Sequence, residues 1–473
     1  MSVEPMTAGS GAALRSFEEI PRTRLTRMLK TLLASGGGRV NMSQSLNAQY
    51  REFGPVVRQF GGPFKFVNLF GPDANRLVLL DRDGLFSAQR PWTQIMGKIF
   101  PNGLLLRDGS DHKHHRRIIH EAFKRPALRE YVEKMNPMIA QGIASWSERP
   151  NPLLAFPAFK ELTLQLAAAI FIGTELAGED ALVSPAAPSR VSPPHPGTQQ
   201  MNAAFEAMVA AAMSRVRLRI PGLEFYRGLK GREFMVDFLR ERLAAKRAGI
   251  GHDMFSRLSR AQTENGDRLA DQETIDHLVF VMMAAHDTTT STLTSVVFEL
   301  ATHTEWQQRI REQSIALNAP SPSFDQLAQL RDLTNAIYEA VRLYPPLPVI
   351  PRIATREFEF EGYRIPAGAM CVVAPIHTHR MEQWWSSPDQ FDPDRFGPER
   401  AEHERHTHSW IPFGGGPHMC IGKRFAESQV RMIIHHLVQR YRWTVPDGYR
   451  MPVQEAPISK PRDGLPITLE PIH

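Results

Sequence analysis

The sequence is short of cysteine: Cys371 and Cys420 are the only two in 473 residues. A disulfide framework is thereby excluded, a reducing compartment is implied, and each cysteine has to be read alone. Long apolar runs are missing too. The longest, Leu278 to Ala285, spans eight residues, against the roughly 20 needed to cross a bilayer. The stretch Met1 to Phe17 lacks a basic region followed by an apolar one, so neither a secretory signal nor a transmembrane anchor is expected, and the expected location is cytoplasmic. No block of five or six like charges occurs. The 56 basic and 50 acidic residues are scattered and leave a net charge of +6, which suits an acidic protein partner better than nucleic acid. At 42% hydrophobic and 22% charged residues, the composition is that of a globular chain with a sizeable core, and it excludes disordered, collagenous and coiled-coil proteins.

Along the chain, weak helical periodicity from Arg22 to Leu33 and again from Met42 to Phe53 marks lead-in helices. Residues 1–41 are read as an N-terminal lead-in and 42–473 as one domain. Val56 to Phe60, Gly61-Gly62 and Phe64 to Phe70 predict a β-hairpin. Gly71-Pro72-Asp73 opens a helix toward Leu80, and Asp111 to Gly249 is mostly amphipathic helix. Within it, Ser184 to Gly197 holds five prolines and reads as an exposed, mobile loop. Asp271 is placed to cap a helix running from Ile275 past Leu300, about 45 Å at the helical rise. Another helix is expected from Phe324 to Leu343, ended by Tyr344-Pro345-Pro346. Phe358 to Ala374 reads as further strands, so a β-rich lobe draws on about residues 55–70 and 350–375. Pro375 to Arg424 is irregular, and a last helix is expected from Phe425 to Tyr441. An irregular stretch that long in a compact chain is usually functional.

That stretch ends in Phe413-Gly414-Gly415-Gly416-Pro417-His418-Met419-Cys420-Ile421-Gly422. Glycines let the backbone turn tightly and approach something flat. Cys420 stands just before a helix N-terminus, where N–H groups and the dipole favour a thiolate, a strong ligand for iron. A lone cysteine is otherwise a small buried hydrophobe, which is the reading for Cys371 in the strand-like run Cys371-Val372-Val373-Ala374.

The run around Cys420 resembles the haem-binding signature of the cytochrome P-450 superfamily, with Phe413, Gly416, Cys420 and Gly422 in register. Further signatures follow in order. Glu339-Ala340-Val341-Arg342 is similar to the family's E-x-x-R, and Pro393-Asp394-Arg395-Phe396 to its P-E-R-F element, with aspartate at 394 in place of the usual glutamate. The resemblance implies a structural network of Glu339, Arg342 and Arg395 behind the cysteine loop; the plainer alternative is an exposed ion pair. Ala284-Ala285-His286-Asp287-Thr288 resembles A-G-x-D/E-T, with alanine at 285 where glycine is most frequent. Two readings stand for Thr288: a hydroxyl bonded to the carbonyl four residues back, or, by resemblance, a proton relay in which Asp287 passes protons and Thr288 holds oxygen and its water. Asp108 to Arg117 resembles the segment that binds the haem propionates, with His112 and Arg116 one turn apart; Arg352 and His418 occupy two more propionate positions. Phe413, Gly422 and Ala284 are implied to contact the haem. A solvated helix face is the reading for His114 and His115.

The resemblance implies a mainly α fold with a small β lobe, the helical prism of the cytochrome P-450 fold. Haem b would sit between the long central helix and the cysteine loop, with Cys420 as the iron ligand. The implied activity is that of a soluble bacterial-type monooxygenase that inserts one atom of O2 into a hydrophobic small molecule. Electrons would come from NAD(P)H through a separate ferredoxin reductase and ferredoxin, since no flavin or iron–sulfur segment is fused here. Lys113, Arg117, Lys423 and Arg424 are the candidate docking patch for an acidic ferredoxin. Apolar segments near Trp92–Leu106, Phe205–Val209, Phe280–Ala284 and Leu347–Ile350 are the expected pocket wall and suit a lipid, steroid or terpenoid. A peroxide-driven peroxygenase, a thiolate-haem isomerase or dehydratase, and a non-catalytic haem-binding or gas-sensing protein are the competing readings; Asp287 and Thr288 count against the first, Thr288 against the second, and turnover with a reductase system would separate an enzyme from the third.

Overall fold

The structure is a computed structural model that describes residues 14–22, 41–59, 65–173, 196–214, 216–263 and 265–472. Its smaller lobe is built on a five-stranded sheet of β1 (Val56–Arg58), β2 (Phe66–Leu69), β3 (Phe86–Ser87), β4 (Ile350–Ala354) and β5 (Met370–Val373), in the order β1-β2-β5-β4-β3. The first two strands pair antiparallel as the expected hairpin, Val56 opposite Leu69; its glycine turn lies outside the described residues. The second strand pairs parallel with the fifth, so Cys371 lies between Val67 and Arg352. Cys371 is fully buried, as read, and burial pushes its thiol up to about 12. Residues 14–22 join this lobe. Phe17 and Ile20 enter its apolar core, and Arg15 bridges to Tyr363. Beyond Arg22, the helix expected to Leu33 lies outside the described residues.

The rest is mainly helical, around one large apolar core. The expected helical middle is present as Gly109–His120 (α1), Arg125–Ala144, Ala155–Ala167, Pro196–Met213 and Glu224–Ala248. Of the proline-rich loop, residues 184–195 lie outside the described residues. Pro196 and Gly197 are not loop but open the next helix, where a proline's missing N–H costs nothing. One stretch, Ala155–Ile172, is long and apolar enough to span a bilayer, but 72% of it is buried inside the fold.

The central helix α2 runs from Asp271 to Thr302. Asp271 is its first residue and not its cap: the cap is Ala270, whose N–H donates to the Glu273 carboxylate at 3.0 Å. Its threonine-rich turn is buried because Thr290, Thr292, Thr294 and Ser295 each donate to the carbonyl four residues back at 2.7–3.0 Å. The helix expected over Phe324–Leu343 is two helices, Phe324–Leu327 and Arg331–Leu343 (α3). Leu330 breaks them with a non-helical ψ of 74° while staying buried, so the apolar spacing of Leu327, Leu330, Leu333 and Ile337 reads as continuous. The last helix, α4, spans Lys423–Arg440, starting two residues before the expected Phe425; Tyr441 begins a strand.

Candidate active site

The loop before α4 is shaped by glycines that no other residue could replace. Gly414 and Gly416 have φ of +70° and +61°, and a Cβ on Gly416 would lie 2.0 Å from the carbonyl oxygen of Leu79. The Cys420 N–H donates to the Phe413 carbonyl at 2.9 Å, and the Gly422 carbonyl opens α4 by accepting from the Ala426 N–H at 2.9 Å. Cys420 is thus held at the tip of a tight loop with its side chain exposed. The sequence reading had the helix terminus lowering its pKa. In the structure the thiol is shifted upward, because loss of hydration outweighs the Gly422 N–H and the Arg116 and Lys423 charges. A side chain both accessible and poorly hydrated faces an internal cleft. Ala284 gives the same sign from the other side, being exposed on a helix that is buried over 274–282 and again over 289–301.

Beside the cysteine the structure brings together His112, Arg116, Arg352 and His418. The two imidazoles stack with centroids 3.9 Å apart. Burial and the neighbouring Arg116 and Arg352 charges push His112 down to about 4, and burial, His112 and the two arginines push His418 down to about 2, so both rings are neutral. Arg352 is buried, and among the described residues the one hydrogen bond of its guanidinium goes to the Pro351 carbonyl at 2.9 Å. Among the described residues neither Arg352 nor Arg116 has a carboxylate within ion-pair distance. Burial lowers Arg352 to about 10 despite the more distant Asp108 and Asp81. Buried guanidinium groups left unpaired are costly. The buried Arg352 and the half-buried Arg116, beside stacked neutral histidines and an accessible cysteine on a glycine loop, form a cradle that the two carboxylates and thiolate-bound iron of a haem would complete.

The Glu339, Arg342 and Arg395 network is present and wholly buried, so the exposed-ion-pair alternative is overturned. Glu339 accepts from Arg342 Nε at 2.6 Å and Nη2 at 2.8 Å and from Arg395 Nε at 2.9 Å. Sequence reasoning missed two partners. Glu402 takes Arg395 Nη1 at 2.9 Å and Arg400 Nη2 at 2.8 Å. His379, kept neutral by burial, accepts the Ile411 N–H at 2.9 Å and faces the Arg342 carbonyl at 3.3 Å. It links the network to the start of the cysteine loop. No short motif announces a histidine or glutamate so far from the residues it serves.

On α2, Thr288 donates to the Ala284 carbonyl at 2.7 Å, the plainer of its two readings, while its oxygen keeps the capacity to accept. Burial raises Asp287, but the His286 contact at 3.1 Å and the Lys160 and Lys460 charges outweigh it and hold the carboxyl below its usual range. The edge of Phe205 meets the His286 ring, so the helix Pro196–Met213 packs beside this turn. His115 is a correction: it is not solvated but buried, bonded to His277 at 2.9 Å and Arg107 at 2.7 Å, because its face of α1 packs on α2. Lys113, Arg117 and Arg424 are exposed as expected. Lys423 is not a free surface charge; its ammonium lies 5.3–6.0 Å from the ring centres of Phe413, Trp410 and Tyr338.

The profile of the family described as Cytochrome P450 matches residues 21–468. The chain belongs to the cytochrome P450 family. It is 34% identical over 425 residues to a putative cytochrome P450 136 of Mycobacterium tuberculosis, covering 89% of this chain and 83% of that one. With cytochrome P450 26A1 of Gallus gallus the identity is 30%, over 89% and 84%. With a beta-amyrin 28-monooxygenase of Solanum lycopersicum it is 27%, over 85% and 82%. In fold, this P450 is similar to a retinoic acid-bound cyanobacterial CYP120A1, with a TM-score of 0.79 and 23% identity over 94% and 96% of the two chains. The chain is therefore a haem-thiolate monooxygenase with the expected mainly α fold and small β sheets, an oxidoreductase that incorporates oxygen. Its family generally works with redox partners and hydrophobic substrates.

Proposed function

We propose that this cytochrome P450 hydroxylates a hydrophobic small molecule of the lipid, steroid or terpenoid class. Its electrons come from NAD(P)H through a ferredoxin reductase and a ferredoxin, and it works in the cytoplasm. The observation that carries the reading is the unpaired Arg116 and Arg352 beside His112, His418 and the accessible Cys420. Cys420 would supply the thiolate that holds the iron, and the Gly422 N–H supports the sulfur's negative charge. Arg116, Arg352, His112 and His418 would hold the propionates, whose charge would offset the two guanidiniums. Phe413, Gly422 and Ala284 would flank the ring. When bound, haem b supplies the activation of dioxygen. Asp287, kept ionised among His286, Lys160 and Lys460, takes up protons and passes them toward Thr288, whose oxygen orients the receiving water. The relatives' printed names include a beta-amyrin 28-monooxygenase and a retinoic acid complex, and the apolar wall residues Trp92, Phe205 and Phe280 fit such ligands. The exposed Lys113, Arg117 and Arg424 form the docking patch for an acidic ferredoxin.

The test is the ferrous carbon-monoxide difference spectrum of wild type and Cys420→Ser, followed by titration of lipids, steroids and terpenoids against the ferric spin state. A strongly red-shifted Soret band in wild type and its loss in the variant are expected, with a low-to-high-spin shift for ligands of the right class. A fully haem-loaded wild type without that band would overturn the assignment of Cys420.

A further inference from the structure

Three half-buried aromatic rings run from the cysteine loop to α3. Phe413, whose carbonyl receives the Cys420 N–H, lies edge-on to Trp410 with centroids 6.0 Å apart. Trp410 in turn lies 4.6 Å from Tyr338, so each ring is in the contact range of aromatic pairs. The two polar rings differ in what they can do with a proton. The buried indole N–H of Trp410 has no hydrogen-bond partner among the described residues. The Tyr338 hydroxyl donates to the buried Glu427 carboxylate at 3.0 Å, with Arg431 and Lys423 at 3.7 and 3.9 Å from that carboxylate. Burial and Glu427 shift the phenol pKa upward, so it is protonated at rest. The Lys423 ammonium over all three rings opposes any lasting positive charge on them.

An electron hole passing this way therefore has one place to settle. Phe413 is too hard to oxidise to hold it. Trp410 can be oxidised but cannot shed its proton, and Lys423 disfavours the cation that would remain. Tyr338 alone becomes neutral on oxidation, because Glu427 stands ready to take its proton. We propose that Trp410 and Tyr338 form an outlet that drains oxidising equivalents from the haem when no substrate consumes them. The proposal rests on Cys420 holding the haem. In the step, one electron moves from Tyr338 through Trp410 to a haem oxidised by an organic peroxyacid or by the enzyme's own reaction with oxygen. The Tyr338 O–H bond breaks, its proton goes to the Glu427 carboxylate, and a neutral phenoxyl radical is left. A thiol or ascorbate from outside returns the electron, and Glu427 gives the proton back to the Tyr338 oxygen, which restores both groups.

Haem-loaded full-length protein would be mixed with a peroxyacid in the absence of substrate, frozen within milliseconds and examined by electron paramagnetic resonance. The carbon-monoxide spectrum would be taken on the same preparation. Wild type should give a narrow tyrosyl signal that is lost in Tyr338→Phe, weakened in Glu427→Gln and replaced by an indole signal in Lys423→Met. Nitroxide trapping and peptide mapping on unaltered protein should place the adduct on Tyr338, a readout that does not depend on any variant folding. A preparation with the red-shifted band but no tyrosyl radical, an undiminished signal in Tyr338→Phe, or an adduct confined to other residues would overturn the outlet while leaving the site intact. A preparation without the band would overturn the site and the outlet together.

Discussion

Two charge clusters near the cysteine loop are built on opposite principles. In the first, Glu339, Arg342, Arg395 and Glu402 are almost wholly excluded from solvent, and every guanidinium meets a carboxylate or a main-chain carbonyl; Arg342 alone reaches the carbonyls of His379 and Pro388 at 2.7 Å. In the second, Arg352 and Arg116 have no carboxylate at ion-pair distance among the described residues, and the histidines beside them are neutral. A closed cluster stabilises the fold and leaves nothing for a ligand. An open one costs stability until something anionic arrives, which is how a folded chain stores affinity for its cofactor.

Removing one charge from each cluster separates these principles. Among the described residues, Glu339→Ala leaves the buried Arg342 without a carboxylate and Arg395 hydrogen-bonded to that of Glu402, and should cost about 3–5 kcal/mol, the usual penalty for breaking a buried pair; denaturant unfolding of wild type and variant would measure it, and a change near zero would mean the cluster is not closed. Glu402 gives the next effect through pH. Burial raises its pKa, but Arg400, Ser386 and Arg395 outweigh this and hold it at about 2, below its unfolded value. The stability it contributes is therefore full above the unfolded pKa and is lost as pH falls toward 2. Glu402→Gln should be clearly less stable at pH 7, with the gap closing as unfolding is repeated from pH 5 downward. A gap independent of pH would remove the carboxylate's ionisation from the explanation. The smallest change in stability is expected from Arg352→Met. Replacing an unpaired buried cation with an apolar side chain should leave the haem-free protein as stable as wild type within about 1 kcal/mol, or raise it. The same variant should lose haem faster to apomyoglobin. Equal haem retention would show that Arg352 is not part of the cradle.

The two clusters also differ in how far they could be read. Glu339, Arg342 and Arg395 were legible because a three-residue spacing on one helix and a short element downstream carry a pattern. Glu402 and His379 were not, since each acts through contacts to distant segments that only folding creates. The same holds for His115. Its place in a basic, His-rich run suggested a solvated face, and only the packing of α1 on α2 buries it against His277. The break at Leu330 was hidden for the opposite reason: the apolar period continues through it.

What the sequence by itself determined is the set of local demands. Glycines at 414 and 416 are required by positive φ, the hydroxyls of the threonine-rich turn bond their own helix's carbonyls, and the prolines after Tyr344 end α3. Such features depend on residues within a turn or two of one another, where sterics and hydrogen bonding act without knowledge of the rest of the chain. Tertiary structure decided the ionisation and pairing of the charged groups. Whether Cys420 favours a thiolate, whether Lys423 points to solvent or over three rings, and whether an arginine meets a carboxylate all depend on which distant segments exclude water around them. Desolvation is set by the whole surrounding volume, and no stretch of sequence carries it.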